Sequence, residues 1–124
     1  MRFCDWHKLS EDKLDAPEEA GIFQVRVAEG LLSYPKGKSA MFYYGYASNL
    51  KNGLAGFVHN VLPLLEVNRE VLLVRWMPVP DTEARFQGYL EAFHAKFGTL
   101  PLGNELLLNR RAQDLSGPPA PEAK

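Results

Sequence analysis

The chain has 124 residues, 46% hydrophobic and 23% charged, with a formal net charge of −1, which is the size and balance of one globular domain. Its single cysteine, Cys4, excludes an internal disulfide and a cysteine-based zinc site, and fits a reducing compartment. No apolar run reaches the ~20 residues of a membrane helix, and the near-neutral charge lacks the basic surplus with which dedicated nucleic-acid binders neutralise phosphate, so a soluble, cytoplasmic protein is expected.

In chain order, residues 1–16 read as an acidic N-terminal extension, and the Pro, acids and Gly of 15–21 mark a turn into a strand,. In "GIFQVRV" (21–27), Gln24 and Arg26 alternate with Phe23, Val25 and Val27, the period of a strand with one buried face,. Residues 28–39, with Gly30, Pro35 and Gly37, read as a mobile connection,. "AMFYYGY" (40–46) is a second strand, antiparallel to the first,. Ser48 is the expected N-cap of a helix over Asn49 to about Leu65, which Gly53, Gly56 and Pro63 weaken,. "REVLLVRWM" (69–77) has the continuous apolar run of a covered central strand,. Asp81 or Thr82 caps a second helix, whose Phe86, Tyr89, Leu90, Phe93 and Phe97 recur at helical spacing until Gly98,. A loop to Asn104 precedes a short helix over 105–113, and 115–124 has the Pro-rich composition of a disordered tail,. The order β-β-α-β-α-α predicts an α+β fold, a small antiparallel sheet flanked by helices, in one domain over 17–114.

Charge is uneven along this plan. Acids crowd the first twenty residues, whereas between Glu29 and Glu66 the only charged side chains are Lys36, Lys38 and Lys51. These lysines surround Tyr43, Tyr44 and Tyr46, a pattern that suits a solvated loop beside core aromatics and also a surface that stacks bases and contacts phosphate. His94 with Glu91 three positions earlier is a helical pair that packing or a metal can use,.

Gly21-Ile22-Phe23 on one strand and Tyr43-Tyr44-Gly45 on the next resemble the paired motif of the GIY-YIG nuclease superfamily. The likeness continues through Ala47-Ser48-Asn49-Leu50, Glu83-Ala84 and a Pro-x-Gly-Asn ending at Asn104, over about residues 17–104. It implies phosphodiester hydrolysis, in which a strand tyrosine helps activate water, a helix arginine neutralises the phosphorane and a glutamate on a later helix holds one divalent metal. Matched residue by residue, Tyr43 keeps the second-motif tyrosine and Asn104 keeps the asparagine. Phe23 stands where the family has tyrosine, Tyr46 where a basic residue is frequent, and Gly53 at the arginine position. Counting from Glu83-Ala84 puts Gly88 at the metal glutamate, while counting back from Asn104 lands near Glu91. By helix propensity alone, arginine at 53 and glutamate at 88 would both be cheap to restore.

The resemblance therefore implies a catalytically degenerate domain that needs no cofactor and acts as a nucleic-acid- or protein-binding module. Lys36, Lys38, Tyr44, Tyr46, Lys51 and Asn104 are then the candidate nucleic-acid contacts, and the binding would be weak. The alternative is an active endonuclease using Mg²⁺, with Tyr43, Glu91 and an unconventional cation such as Lys51 or His59 as its catalytic groups. A third reading is a structural or interaction subunit of a larger complex.

Overall fold

The computed structural model describes residues 2–10 and 14–116, with side chains to residue 109. Strand β1 (His7–Lys8) is followed by β2 (Gly21–Val27), a hairpin of β3 (Leu32–Tyr34) and β4 (Gly37–Ser39), and β5 (Met41–Ala47). A continuous helical stretch comes next: α1 (Leu50–Gly56), a π turn (Phe57–Val61) and α2 (Leu62–Leu65). Strand β6 (Leu72–Pro78), helix α3 (Thr82–Phe97) and helix α4 (Leu102–Ser116) complete the α+β fold. The antiparallel sheet has the order β1-β6-β2-β5. No helix among the described residues is long and apolar enough to cross a membrane.

The two motif strands are neighbours, with Phe23 opposite Gly45 and Val25 opposite Tyr43. Strand β6 lies on the other side of β2, with Gln24 opposite Arg75. On one sheet face Phe23, Val25, Val74 and Trp76 meet Leu50, Leu54, Phe57 and Leu62 of the 50–65 stretch. On the other, Ile22 and Met77 meet Phe86 and Tyr89, and Tyr44 meets Leu90 and Phe93, all of α3. Both sheet faces are covered, so strict hydrophobic alternation is relaxed.

The aromatic run of β5 is resolved by a bulge. Val25 pairs with Tyr43 but Arg26 pairs with Met41, so Phe42 is an extra residue on β5,. Phe42 and Tyr43 consequently both enter the core under α1, while Met41 and Tyr44 belong to the cluster under α3.

Three local expectations are corrected. Residues 28–39 are not a mere connection: they form the β3–β4 hairpin, tied down by Tyr34. The Tyr34 hydroxyl donates to Met41 O at 2.6 Å and accepts from Leu102 N–H at 3.0 Å, and Lys36 N–H donates to Phe97 O at 3.1 Å. Asn49, not Ser48, caps α1, its side chain accepting from Asn52 N–H. The last helix starts at Leu102 rather than 105, because Gly103 serves packing and does not break the helix: a Cβ there would lie 2.9 Å from the Phe42 ring. Strand β6 is covered and interior to the sheet as expected, between β1 and β2. Of the expected disordered tail, residues 117–124 lie outside the described residues, and α4 runs to Ser116.

The N-terminal stretch joins the same body. Cys4 N–H donates to Trp76 O and Leu9 N–H to Leu72 O, both at 3.0 Å, and Leu9 is only 1% exposed. Arg75 lies over the rings of Phe3 (4.4 Å) and Trp6 (4.5 Å) while its Nε donates to the buried Gln24,.

The outer edge of β5 is closed by one side chain. Asn104 of α4 accepts from Tyr44 N–H and donates to Tyr44 O, both at 2.9 Å, as a neighbouring peptide would. Replacing Asn104 with Ala leaves a buried donor and a buried acceptor unpaired. The expected loss is about 2–4 kcal/mol of unfolding free energy, read by urea denaturation; a loss under 1 kcal/mol would mean that α4 does not depend on this pair.

Candidate functional site

A cleft of about 870 Å³ opens where the β5 edge, the 50–61 helical stretch, α3 and α4 meet. Its floor is Phe23, Tyr43 and Gly45. A Cβ at Gly45 would collide with the Phe23 ring, so the glycine lets that ring lie across β5,. Tyr43 packs 4.7 Å from Phe57 and 6.1 Å from Phe23, centroid to centroid, and is 9% exposed. One wall carries Gly53, Gly56, Asn60 and Val61, and the facing wall Phe86, Gln87, Leu90, Glu91 and His94. Helix α4 contributes Asn104, Leu107 and Leu108, and Tyr46 stands at the rim 4.6 Å from Phe86.

The glycine at 53 has a packing reason. Its Cβ direction runs into the Cβ of Ala47, so α1 can sit this close to β5 only without a side chain there. An arginine at 53 therefore has no room, which corrects the view that it would be cheap to restore. Gly88 is the opposite case: a Cβ there meets nothing within 4 Å, and the residue is exposed and outside the cleft walls. Of the two positions considered for the family's glutamate, the one on the cleft is Glu91.

The other expected contacts divide. Tyr44 is 9% exposed on the α3 side of the sheet, its ring against Tyr89 and Phe93. Asn104 lines the cleft, but both ends of its amide are bonded to Tyr44. Lys36 and Lys38 sit in the β3–β4 hairpin and Lys51 near the start of α1, all exposed and none on the cleft. The lysine strip that is continuous in sequence is thus split in space. Among the described residues no lysine or arginine lines the cleft, and Glu91 is its one carboxylate, with His94 on the same wall. Among those residues, too, no three His, Cys, Asp or Glu side chains cluster as a metal centre.

Sequence reasoning passed over Asn60, Gln87 and the α4 wall. A signal existed for part of it: Gln87, Glu91 and His94 recur at i, i+4 and i+7, one stripe of a helix. Nothing local marks Asn60, which the π turn carries to the cleft. There Leu62 N–H reaches back to Phe57 O, just before Pro63, which has no N–H to give,.

Two phenols are perturbed. Burial pushes Tyr44 up to about 12, helped by Tyr34 and Tyr89 and opposed by Arg75. Burial also raises Tyr34, against the lowering effect of the Leu102 N–H. A raised phenol stabilises the fold fully below its unfolded value near pH 10 and loses that contribution as pH climbs to the folded value. Unfolding free energy should therefore fall between about pH 10 and pH 12,, and fall less steeply in Tyr44→Phe; an unchanged slope in that variant would remove Tyr44 from the account.

The two glycines make a paired test. Gly88→Ala should stabilise by up to about 1 kcal/mol, the helix-propensity gain. Gly53→Ala gains the same propensity but meets Ala47, and should be destabilising by about 1–2 kcal/mol net, partly recovered by adding Ala47→Gly. Equal effects at the two positions in chemical denaturation would refute the packing role of Gly53.

No protein-family model matches this chain, and comparison with curated proteins and with solved structures finds no match.

Proposed function

We propose that the chain is a catalytically degenerate GIY-YIG-like domain that works as a binding module, its cleft taking an apolar partner group in preference to nucleic acid. The observation that carries this reading is the cleft wall: mainly aromatic and aliphatic around Tyr43, with Asn60, Gln87, His94 and the Glu91 carboxylate and, among the described residues, no arginine or lysine. The adjacency of the Gly21-Ile22-Phe23 and Tyr43-Tyr44-Gly45 strands supports the kinship. Phosphodiester hydrolysis builds negative charge on the phosphoryl oxygens, and a fixed cation there is worth about 100–1,000-fold in rate. Here that charge would face Glu91 instead. Phe23 has no hydroxyl with which to assist Tyr43.

A second reading has one observation in its favour. Tyr43 and Glu91 line the same cleft, and a divalent metal bound through one carboxylate and the substrate phosphates would need no more protein ligands than Glu91. When bound, such a metal would polarise the phosphoryl group; Tyr43 would orient water and Glu91 would hold the ion.

The assay that separates the readings is cleavage of single-stranded, duplex and branched DNA in Mg²⁺ or Mn²⁺. The expected result is no cutting above background. Metal-dependent cutting that Tyr43→Phe or Glu91→Gln abolishes would replace the binding reading with the nuclease.

A further inference from the structure

We infer that the cleft binds a small organic ammonium ion, an amine carried on an aromatic or alkyl body. This rests on the reading of the chain as a binding module and names the chemistry of what it binds. Three observations converge. The cavity of about 870 Å³ falls in the size range of small-molecule sites, which are mostly apolar with a few placed polar groups. Aromatic residues line it: Phe23, Tyr43 and Phe57 form a floor of rings that are almost wholly buried, and Tyr46, which is 44% exposed, and Phe86 stand at the mouth, where their rings can be reached by a ligand. Ring faces attract cations through their quadrupole. Among the described residues, the walls carry the Glu91 carboxylate and no lysine or arginine.

Glu91 is not committed elsewhere. The ion pair among the described residues is Arg85 with Asp81, on the exposed first turn of α3. Glu91 is exposed on the same helix, where Gln87 and His94 share its stripe, and among the described residues no lysine or arginine lines the cleft to compete for its charge. Asn104, by contrast, is held in place by its two bonds to the Tyr44 backbone. An anion entering this cleft would lose hydration and meet a carboxylate; a neutral body would gain apolar burial alone; an ammonium on the same body gains burial, ring faces and a counter-charge.

The test titrates the intact protein at pH 7.5 with three probes of matched body: phenethylammonium chloride, 2-phenylethanol and sodium phenylacetate. Amide NMR shifts at residues 43–46, 60 and 86–94 locate the binding. Phenethylammonium should bind about 5–30-fold more tightly than the alcohol, the combined worth of an exposed ion pair and a cation–π contact, and phenylacetate should bind weakest. Glu91→Gln, a change at an exposed position that leaves the fold intact, should lower amine affinity about two- to fivefold and leave the alcohol unchanged. Equal affinity for amine and alcohol, preference for the anion, or no binding of any probe overturns the inference. A lysine pentapeptide that outcompetes phenethylammonium also overturns it, by assigning the cleft to a protein side chain. None of these failures produces DNA cleavage, so the outcome here and that of the nuclease assay are separable.

Discussion

The carboxamide of Asn104 holds the open edge of the sheet. An edge strand presents unpaired N–H and C=O groups, and burying them without partners is expensive. At Tyr44 the edge is met by a side chain rather than by another strand, through two 2.9 Å bonds. The pairing fixes α4 against β5, and with α4 come Leu107 and Leu108, one wall of the cleft. Tyr34 ties the same corner from the other end, joining Met41 O to Leu102 N–H. A cleft at the edge of β5 exists because that edge is capped by an amide and not filled by a fifth strand.

Close approach does the rest. Gly45 admits the Phe23 ring, Gly53 admits Ala47 and Gly103 admits Phe42, three contacts in which a Cβ would not fit. Each brings a helix or ring against β5, and together they give the cleft a floor of ring carbon. The bulge at Phe42 adds a second aromatic to the face under α1. Stability and site are thus made by the same residues, and most substitutions on this floor would alter both.

Electrostatics then decides what such a cleft can accept. The lysines that cluster between Glu29 and Glu66 in sequence stand on the β3–β4 hairpin and at the start of α1, away from Tyr43. Arg26 and Arg75 stack on Trp6, Arg75 on Phe3 as well, and help hold the N-terminal stretch to the sheet. Among the described residues, what lines the cleft around Tyr43 is mostly apolar surface with the uncharged amides Asn60, Gln87 and Asn104, His94 and the Glu91 carboxylate, and no lysine or arginine to meet a phosphodiester,. The proposed loss of nuclease chemistry follows from where cations are absent, not from any change in the order of the elements.

Sequence alone determined the two motif strands, the third long strand, both principal helices and their polarity, because each rests on a local period of two or of 3.6 residues. The resemblance of its motifs to the GIY-YIG pattern made Tyr43 and Glu91 candidates. Three features were decided only in tertiary structure. The glycines at 53 and 103 look like helix weaknesses in one dimension, and their cause is an atom on another element, Ala47 or Phe42. The lysine strip looks continuous because neighbours in sequence share a window, whereas the turns between β3, β4 and β5 separate them in space. The choice between Gly88 and Glu91 turned on which side of α3 faces β5 and α4, and helix rotation is set by long-range packing of Leu90 and Phe93, which no local pattern encodes.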